Sequence, residues 1–236
     1  MNLGNEIEIN AVEKSYGFNI ALKGIDLHIK KGEFLTLFGP NGAGKSTLLS
    51  ILSTILKPTK GSAKISGLDI NKNKSEIRHK IGLIGHSHML YENLSAVENL
   101  HYFGTFYDIE NLKEKSKQLL SDLGLYKRRT DLVKTYSSGM KQRLSVARAL
   151  LHDPEILLLD EPYNGLDQSG IKLFTEIISS FKDKGYTTIL TTHNIEEGLE
   201  LCSRTAILSK GNLVHDSYDT YDTDSFRSLY QSSISN

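Results

Sequence analysis

The segment Gly39-Pro40-Asn41-Gly42-Ala43-Gly44-Lys45-Ser46 constrains the fold more than any other part of the chain. It follows a short apolar run, Phe34 to Phe38, which reads as a buried parallel strand. It precedes Lys45 to Leu56, which has helical content and stops before Pro58. Strand, glycine-rich turn and helix, in that order, let backbone N–H groups wrap a phosphate. The glycines tolerate positive φ, and the helix adds its positive N-terminal end. Lys45 can reach the outer phosphates as a point charge, and Ser46 can ligate Mg²⁺. Gly39, Pro40, Asn41, Gly42, Ala43, Gly44, Lys45, Ser46 and the adjoining Thr47 are therefore the expected phosphate-site residues.

Such a loop needs a carboxylate to hold Mg²⁺ and a group to position the attacking water. Ile156-Leu157-Leu158-Leu159-Asp160-Glu161 offers both. Four aliphatic residues in a row mark a strand buried on both faces. Asp160 emerges at its carboxyl end, where α/β sheets place their sites. Asp160 is the expected Mg²⁺ ligand and Glu161 the expected general base.

The surrounding pattern is α/β. Glu6 to Tyr16 and Ala21 to Ile29 alternate as strands, Ser62 to Ile70 reads as a hairpin strand, and Ile81 to Ile84 is another apolar run. From Met89 to His152 the period becomes helical. Ser95 can cap a helix, with Glu98 completing a capping box. Lys113 to Leu123 and Lys141 to Leu151 are further helices. Strands return at Ile156–Leu159, Thr187–Leu190 and Thr205–Leu208, separated by helices over Ile171–Phe181 and Ile195–Cys202. Strand–helix repetition implies a parallel sheet. The stretch from Ser217 is polar and reads as a loosely docked tail.

Composition excludes several classes. Of 236 residues, 39% are hydrophobic and 24% charged, as in a globular protein with a core. No uncharged stretch exceeds eleven residues, whereas a spanning helix needs about 20. The polar start carrying Glu6 and Glu8 is no secretory signal. A lone Cys202 gives no internal disulfide, which favours the cytoplasm. Lys+Arg and Asp+Glu balance at 28 each, which argues against a dedicated nucleic-acid binder. The balance hides a segregation: residues 113–148 hold ten bases and three acids, residues 153–236 six bases and fourteen acids. The basic stretch is a solvated surface, or it faces phosphate, lipid or ligand.

These motifs, with others in the same order, make residues 6–212 resemble the ATP-binding subunits of ABC transporters. Tyr136-Ser137-Ser138-Gly139-Met140 stands where that family has its Leu-Ser-Gly-Gly-Gln signature, followed by a closely matching helix. Asn164-Gly165-Leu166-Asp167 matches the D-loop, His193 the switch histidine, and Tyr16 the aromatic that stacks on adenine. The resemblance implies one ABC ATPase domain: a P-loop NTPase core (1–88 and 154–212) with a mostly parallel sheet and an N-terminal antiparallel β subdomain. An inserted helical subdomain (89–153) carries the signature, and a polar tail (213–236) ends the chain. It implies ATP and Mg²⁺ as cofactors, and ATP hydrolysis by Glu161 with His193. It implies two partners: an integral membrane transporter subunit, and a second ATPase copy, identical or not. Ser137, Ser138 and Gly139 would then contact the opposite subunit's ATP. The chain would sit on the inner face of the cell membrane through its membrane partner.

Two departures stand out. Tyr136, Ser138 and Met140 degrade the signature while Ser137 and Gly139 remain. His86 occupies the family's Q-loop glutamine, and neutral imidazole suits hard Mg²⁺ less well than an amide oxygen. The Gly85-His86 pair and the run Leu94-Ser-Ala-Val-Glu-Asn-Leu100 are similar to the haem-exporter ATPase of c-type cytochrome maturation. The alternative is an exporter of drugs, lipids or polysaccharides. A soluble ABC ATPase is disfavoured, because only 92 residues separate Lys45 from Ser137, too few for a long coiled coil, and there is one cassette.

Overall fold

The computed structural model describes residues 4–85 and 87–235. Strands β1 (Asn5–Tyr16) and β2 (Asn19–Lys30) form an antiparallel hairpin. Their apolar alternation puts Ile7, Ile9, Val12, Ile25, Leu27 and Ile29 on one buried face. Strand β3 (Phe34–Phe38) is buried throughout and runs into the glycine loop and helix α1 (Lys45–Leu52). Helix α1 stops four residues earlier than its composition predicts. Thr54 turns back at φ 61, and the N–H groups of Ile55 and Leu56 both return to the Ser50 carbonyl.

Strands β4 (Lys60–Ile65) and β5 (Leu68–Asp69) complete a four-stranded antiparallel sheet ordered β2-β1-β4-β5. Helix α2 (Lys74–Lys80), which sequence periodicity does not reveal, leads into β6 (Ile81–Ile84). It buries only Ile77, so it has no apolar stripe to read.

The helical stretch contains α3 (Ala96–Gly104), α4 (Leu112–Asp122) and α5 (Ser138–Leu150). The Ser95–Glu98 capping box is present: Ser95 Oγ accepts from Glu98 N–H, and Ser95 N–H donates to the Glu98 carboxylate at 2.7 Å. Then follow β7 (Ile156–Asp160), α6 (Gln168–Asp183), β8 (Thr187–Thr192), the short α7 (Ile195–Leu199), β9 (Arg204–Ser209), β10 (Asn212–Ser217) and α8 (Thr223–Ser235). The second sheet is ordered β10-β9-β3-β8-β7-β6. All its pairs are parallel except β9–β10. This is the P-loop NTPase fold expected.

Helix α1 packs between the two sheets. Leu48, Leu49, Ile51 and Leu52 share one core with β1, β2 and the inner residues of β3, β7 and β8. Each such side chain contributes about 1.5–3 kcal/mol of burial free energy. Arg204 of β9 ties the sheets together, donating to the His28 carbonyl (2.7 Å), Glu33 (2.9 Å) and Asp216 (2.6 Å). Burial alone would lower its pKa, but the bonds and charges of Asp216 and Glu33 raise it.

The C-terminal stretch is not a loose tail. From Asn212 it forms β10 and α8, and Phe226 is fully buried with its ring centroid 4.6 Å from that of Phe38. The segment looks polar because α8 commits few large apolar residues, chiefly Phe226 with Leu229, Tyr230 and Ile234 around it. Phe226→Ala is expected to cost about 3–5 kcal/mol of stability by emptying that site, measured by urea unfolding.

His152, just beyond α5, stacks face to face on Tyr107 at 4.0 Å and donates from Nε2 to the Ile81 carbonyl at 3.0 Å. Burial depresses its pKa to about 4, from 6.5 in model compounds. The unfolded chain therefore binds the proton more readily. His152 penalises the native state progressively as pH falls from about 6.5 to about 4, by roughly 2–3 kcal/mol in all. His152→Gln is expected to flatten this part of the stability–pH curve, read from urea midpoints between pH 4 and 7.

Candidate nucleotide site

Three segments distant in sequence meet at one edge of the large sheet because of strand register. Phe38 of β3 pairs with Thr192 of β8, and Thr191 of β8 pairs with Asp160 of β7. The residues that leave these strands, Gly39, His193 and Glu161, thus emerge side by side at their carboxyl ends.

The glycine loop is shaped by close approach. A Cβ on Gly39 would lie 2.3 Å from the Leu208 carbonyl oxygen, and one on Gly44, at φ 112, would lie 2.6 Å from that of Ala21. Gly44 caps α1 without any side-chain hydrogen bond. The first N–H groups of the helix are therefore left for an anion. Pro40 to Thr47, with Tyr16, Asn19, Glu161, Asn164 and His193, line a cavity of about 550 Å³. Tyr16 is half exposed at its mouth, with Lys14 Nζ 5.1 Å from the ring centroid.

Lys45 is buried, and its ammonium donates to the carbonyls of Gly39 (2.6 Å) and Pro40 (3.2 Å). It also sits 3.1 Å from Glu161 Oε1. The other Glu161 oxygen, Oε2, is 2.9 Å from His193 Nδ1. Glu161 adopts φ 49, a left-handed conformation unusual for a non-glycine residue. Its N–H is held by the Thr191 carbonyl (3.1 Å) and hydroxyl (3.2 Å). Ser46 Oγ lies 3.0 Å from Asp160 Oδ1, so a hydroxyl and a carboxylate converge as hard oxygen donors of the kind Mg²⁺ takes.

Thr191 is the residue that sequence reasoning misses. Its hydroxyl donates to Asp160 Oδ1 at 2.7 Å, so it orients the carboxylate and holds the Glu161 backbone at once. The signal was a buried threonine two residues before His193, but only the β7–β8 pairing gives it a partner. Asn19 and Asn164 line the cavity for similar tertiary reasons.

Ser137, Ser138, Gly139 and Asp167 do not join this cavity. They line a second one, of about 330 Å³, with Arg143, Gly165 and Leu166, and no residue lines both. Ser137 caps α5 by accepting from Met140 N–H at 3.3 Å, and Asp167 caps α6 by accepting from Gly170 N–H at 2.7 Å. Two helix N-termini therefore face the second cavity; that of α5 is capped by a neutral hydroxyl and can stabilise negative charge, while that of α6 already carries the Asp167 carboxylate. His86 lies outside the described residues.

Among the described residues no helix is long and apolar enough to cross a membrane. The family model for ABC transporters matches residues 22–164. Over 210 residues, 88% of this chain, it is 35% identical to the linearmycin resistance ATP-binding protein LnrL of Bacillus subtilis (strain 168), covering 68% of that protein. It is 36% identical over the same length to the daunorubicin resistance ATP-binding protein DrrA3 of Streptomyces coeruleorubidus, covering 66% of it. The chain thus spans about two thirds of these relatives. The dimeric post-hydrolysis structure of the ATP-binding cassette MJ0796 bound to ADP and Pi superposes with a TM-score of 0.82. That match has 28% identity and covers 89% of this chain and 97% of that one. With the loop, the paired carboxylates and the histidine assembled on one sheet edge, this chain belongs to the ABC transporter family, as one of its ATP-binding and ATP-hydrolysing cassettes.

Proposed function

We propose that this chain powers export of drug-like or antibiotic-like small molecules through a separate membrane subunit, as one of two ATPase copies in a dimer. The family assignment and the resistance proteins LnrL and DrrA3 among its relatives support this reading. They point to the drug-export alternative and give no support to haem export, whose sequence basis was the short run around His86.

One observation carries the dimer: the glycine loop and the signature line two cavities that share no residue. Each cavity offers part of a phosphate site, and a head-to-tail pair would bring each loop against the partner's Ser137, Ser138 and Gly139. The dimeric MJ0796 cassette has the same fold.

Within the loop cavity, the N–H groups of Gly42 to Thr47 and Lys45 bind the phosphates, and Tyr16 stacks on the base. Ser46 and Asp160 would hold Mg²⁺, which when bound neutralises charge building on the phosphate oxygens. Glu161 takes a proton from the attacking water, and His193, bonded to its Oε2, orients it. Asp167 belongs to the contact between copies.

Purified Glu161→Gln protein is expected to bind ATP, to turn over at least 100-fold more slowly, and to dimerise with Mg-ATP. Adding Ser137→Arg should abolish that dimer in light scattering. A dimer undiminished by Ser137→Arg removes the signature from the contact. Thr191→Val, nearly isosteric, is expected to lower ATP turnover about tenfold while shifting stability by less than about 1.5 kcal/mol. Unchanged turnover would deny Thr191 its positioning role. For the substrate, a strain lacking the gene should become more sensitive to daunorubicin or linearmycin and keep normal c-type cytochromes on haem-stained gels. The reverse pattern would restore haem export.

A further inference from the structure

The helical region holds a third cavity, lined by residues of neither nucleotide half-site. It lies between α3, α4 and the turn at Tyr126–Arg128 and encloses about 430 Å³. Its floor is apolar, formed by Val97, Leu112, Leu120 and Tyr126, and its rim carries Lys113, Lys117 and Arg129. The two lysines stand one helical turn apart on α4, on the same face.

Elsewhere in the basic stretch, Lys115 pairs with Asp153, Arg128 with Asp131 and Lys141 with Glu92. Among the described residues, none of the three rim bases has a carboxylate within ion-pair distance. Arg129 and Lys117 lie against the Tyr126 ring instead, 4.3 and 5.9 Å from its centroid. Of the ten bases in residues 113–148, three are held in ion pairs, and Lys113, Lys117 and Arg129 among the others gather around one apolar groove.

We propose that this groove binds a single-chain anionic amphiphile, with its alkyl tail along Leu112, Leu120 and Tyr126 and its head group among Lys113, Lys117 and Arg129. An apolar ligand without charge would make no use of the three bases on the rim. A bare anion would leave the apolar floor in water. A flat bilayer surface would meet the rim and miss the recessed floor, while the volume suits a small molecule. The proposal rests on this groove alone and stands or falls apart from the export reading.

The test is isothermal titration of the full chain with dodecyl phosphate below its micelle concentration, with the nucleotide sites filled by Mg-ADP. Dodecyl phosphate is expected to bind at least tenfold more tightly than dodecyl maltoside or inorganic phosphate, and more weakly as salt rises. The double variant Lys113→Glu/Lys117→Glu should lose at least tenfold in affinity, and Lys113→Gln/Lys117→Gln an intermediate amount. Both pairs are exposed, and basal ATPase activity should be unchanged. Equal binding of the maltoside or of inorganic phosphate would overturn the proposal. So would undiminished binding by the Glu variant, or failure of dodecyl phosphate where an acidic leucine-rich helical peptide binds.

Discussion

The in-register parallel pairing of β3, β8 and β7 is the constraint on which the rest of this molecule depends. Parallel strands present their carboxyl ends on one side of the sheet, and here the register is close enough to make neighbours of residues far apart in the chain. Gly39 and His193 follow paired residues, and Thr191 faces Asp160 directly. Shifting β8 by one residue would turn Thr191 away from Asp160 and leave a buried carboxylate oxygen without that donor. The buried aliphatic runs of β3 and β7 serve the site by making this register costly to change.

The site is also a balance of held charges. Glu161 sits between Lys45 and His193, on a backbone kept at positive φ by two bonds to Thr191. Its carboxylate is held in orientation by the bond of Oε2 to His193 and the nearby Lys45 ammonium. The signature, with its two helix N-termini, stays on a separate surface of the same chain. The glycine loop and the signature thus open onto two separate cavities of one chain.

Away from the sheet edge, the fold uses charge pairing selectively. Arg204 is buried and paired with Glu33 and Asp216, and its bond to the His28 carbonyl of β2 joins the two sheets. In the helical region some bases are paired and others, three of them around the α3–α4 groove, are not. Helix α8 packs Phe226 on Phe38, directly behind the strand that carries the glycine loop. The end of the chain thereby buttresses the strand that delivers the phosphate site.

Legible in the chain alone were the glycine loop, the Asp160–Glu161 pair, the strand–helix alternation and the Ser95 capping box. These depend on short-range chemistry: φ-permissive glycines, consecutive aliphatics, and hydroxyl-to-backbone bonds across three residues. The chain alone did not show where α1 stops, the helix α2, or the docking of α8: α1 ends at the backward turn of Thr54, α2 buries only Ile77, and Phe226 of α8 is held against Phe38, far away in the chain. Nor could it assign Thr191 a partner, or separate Lys113, Lys117 and Arg129 from the paired bases among them. Those outcomes are set by strand register and helix packing, which bring together groups that the chain keeps far apart.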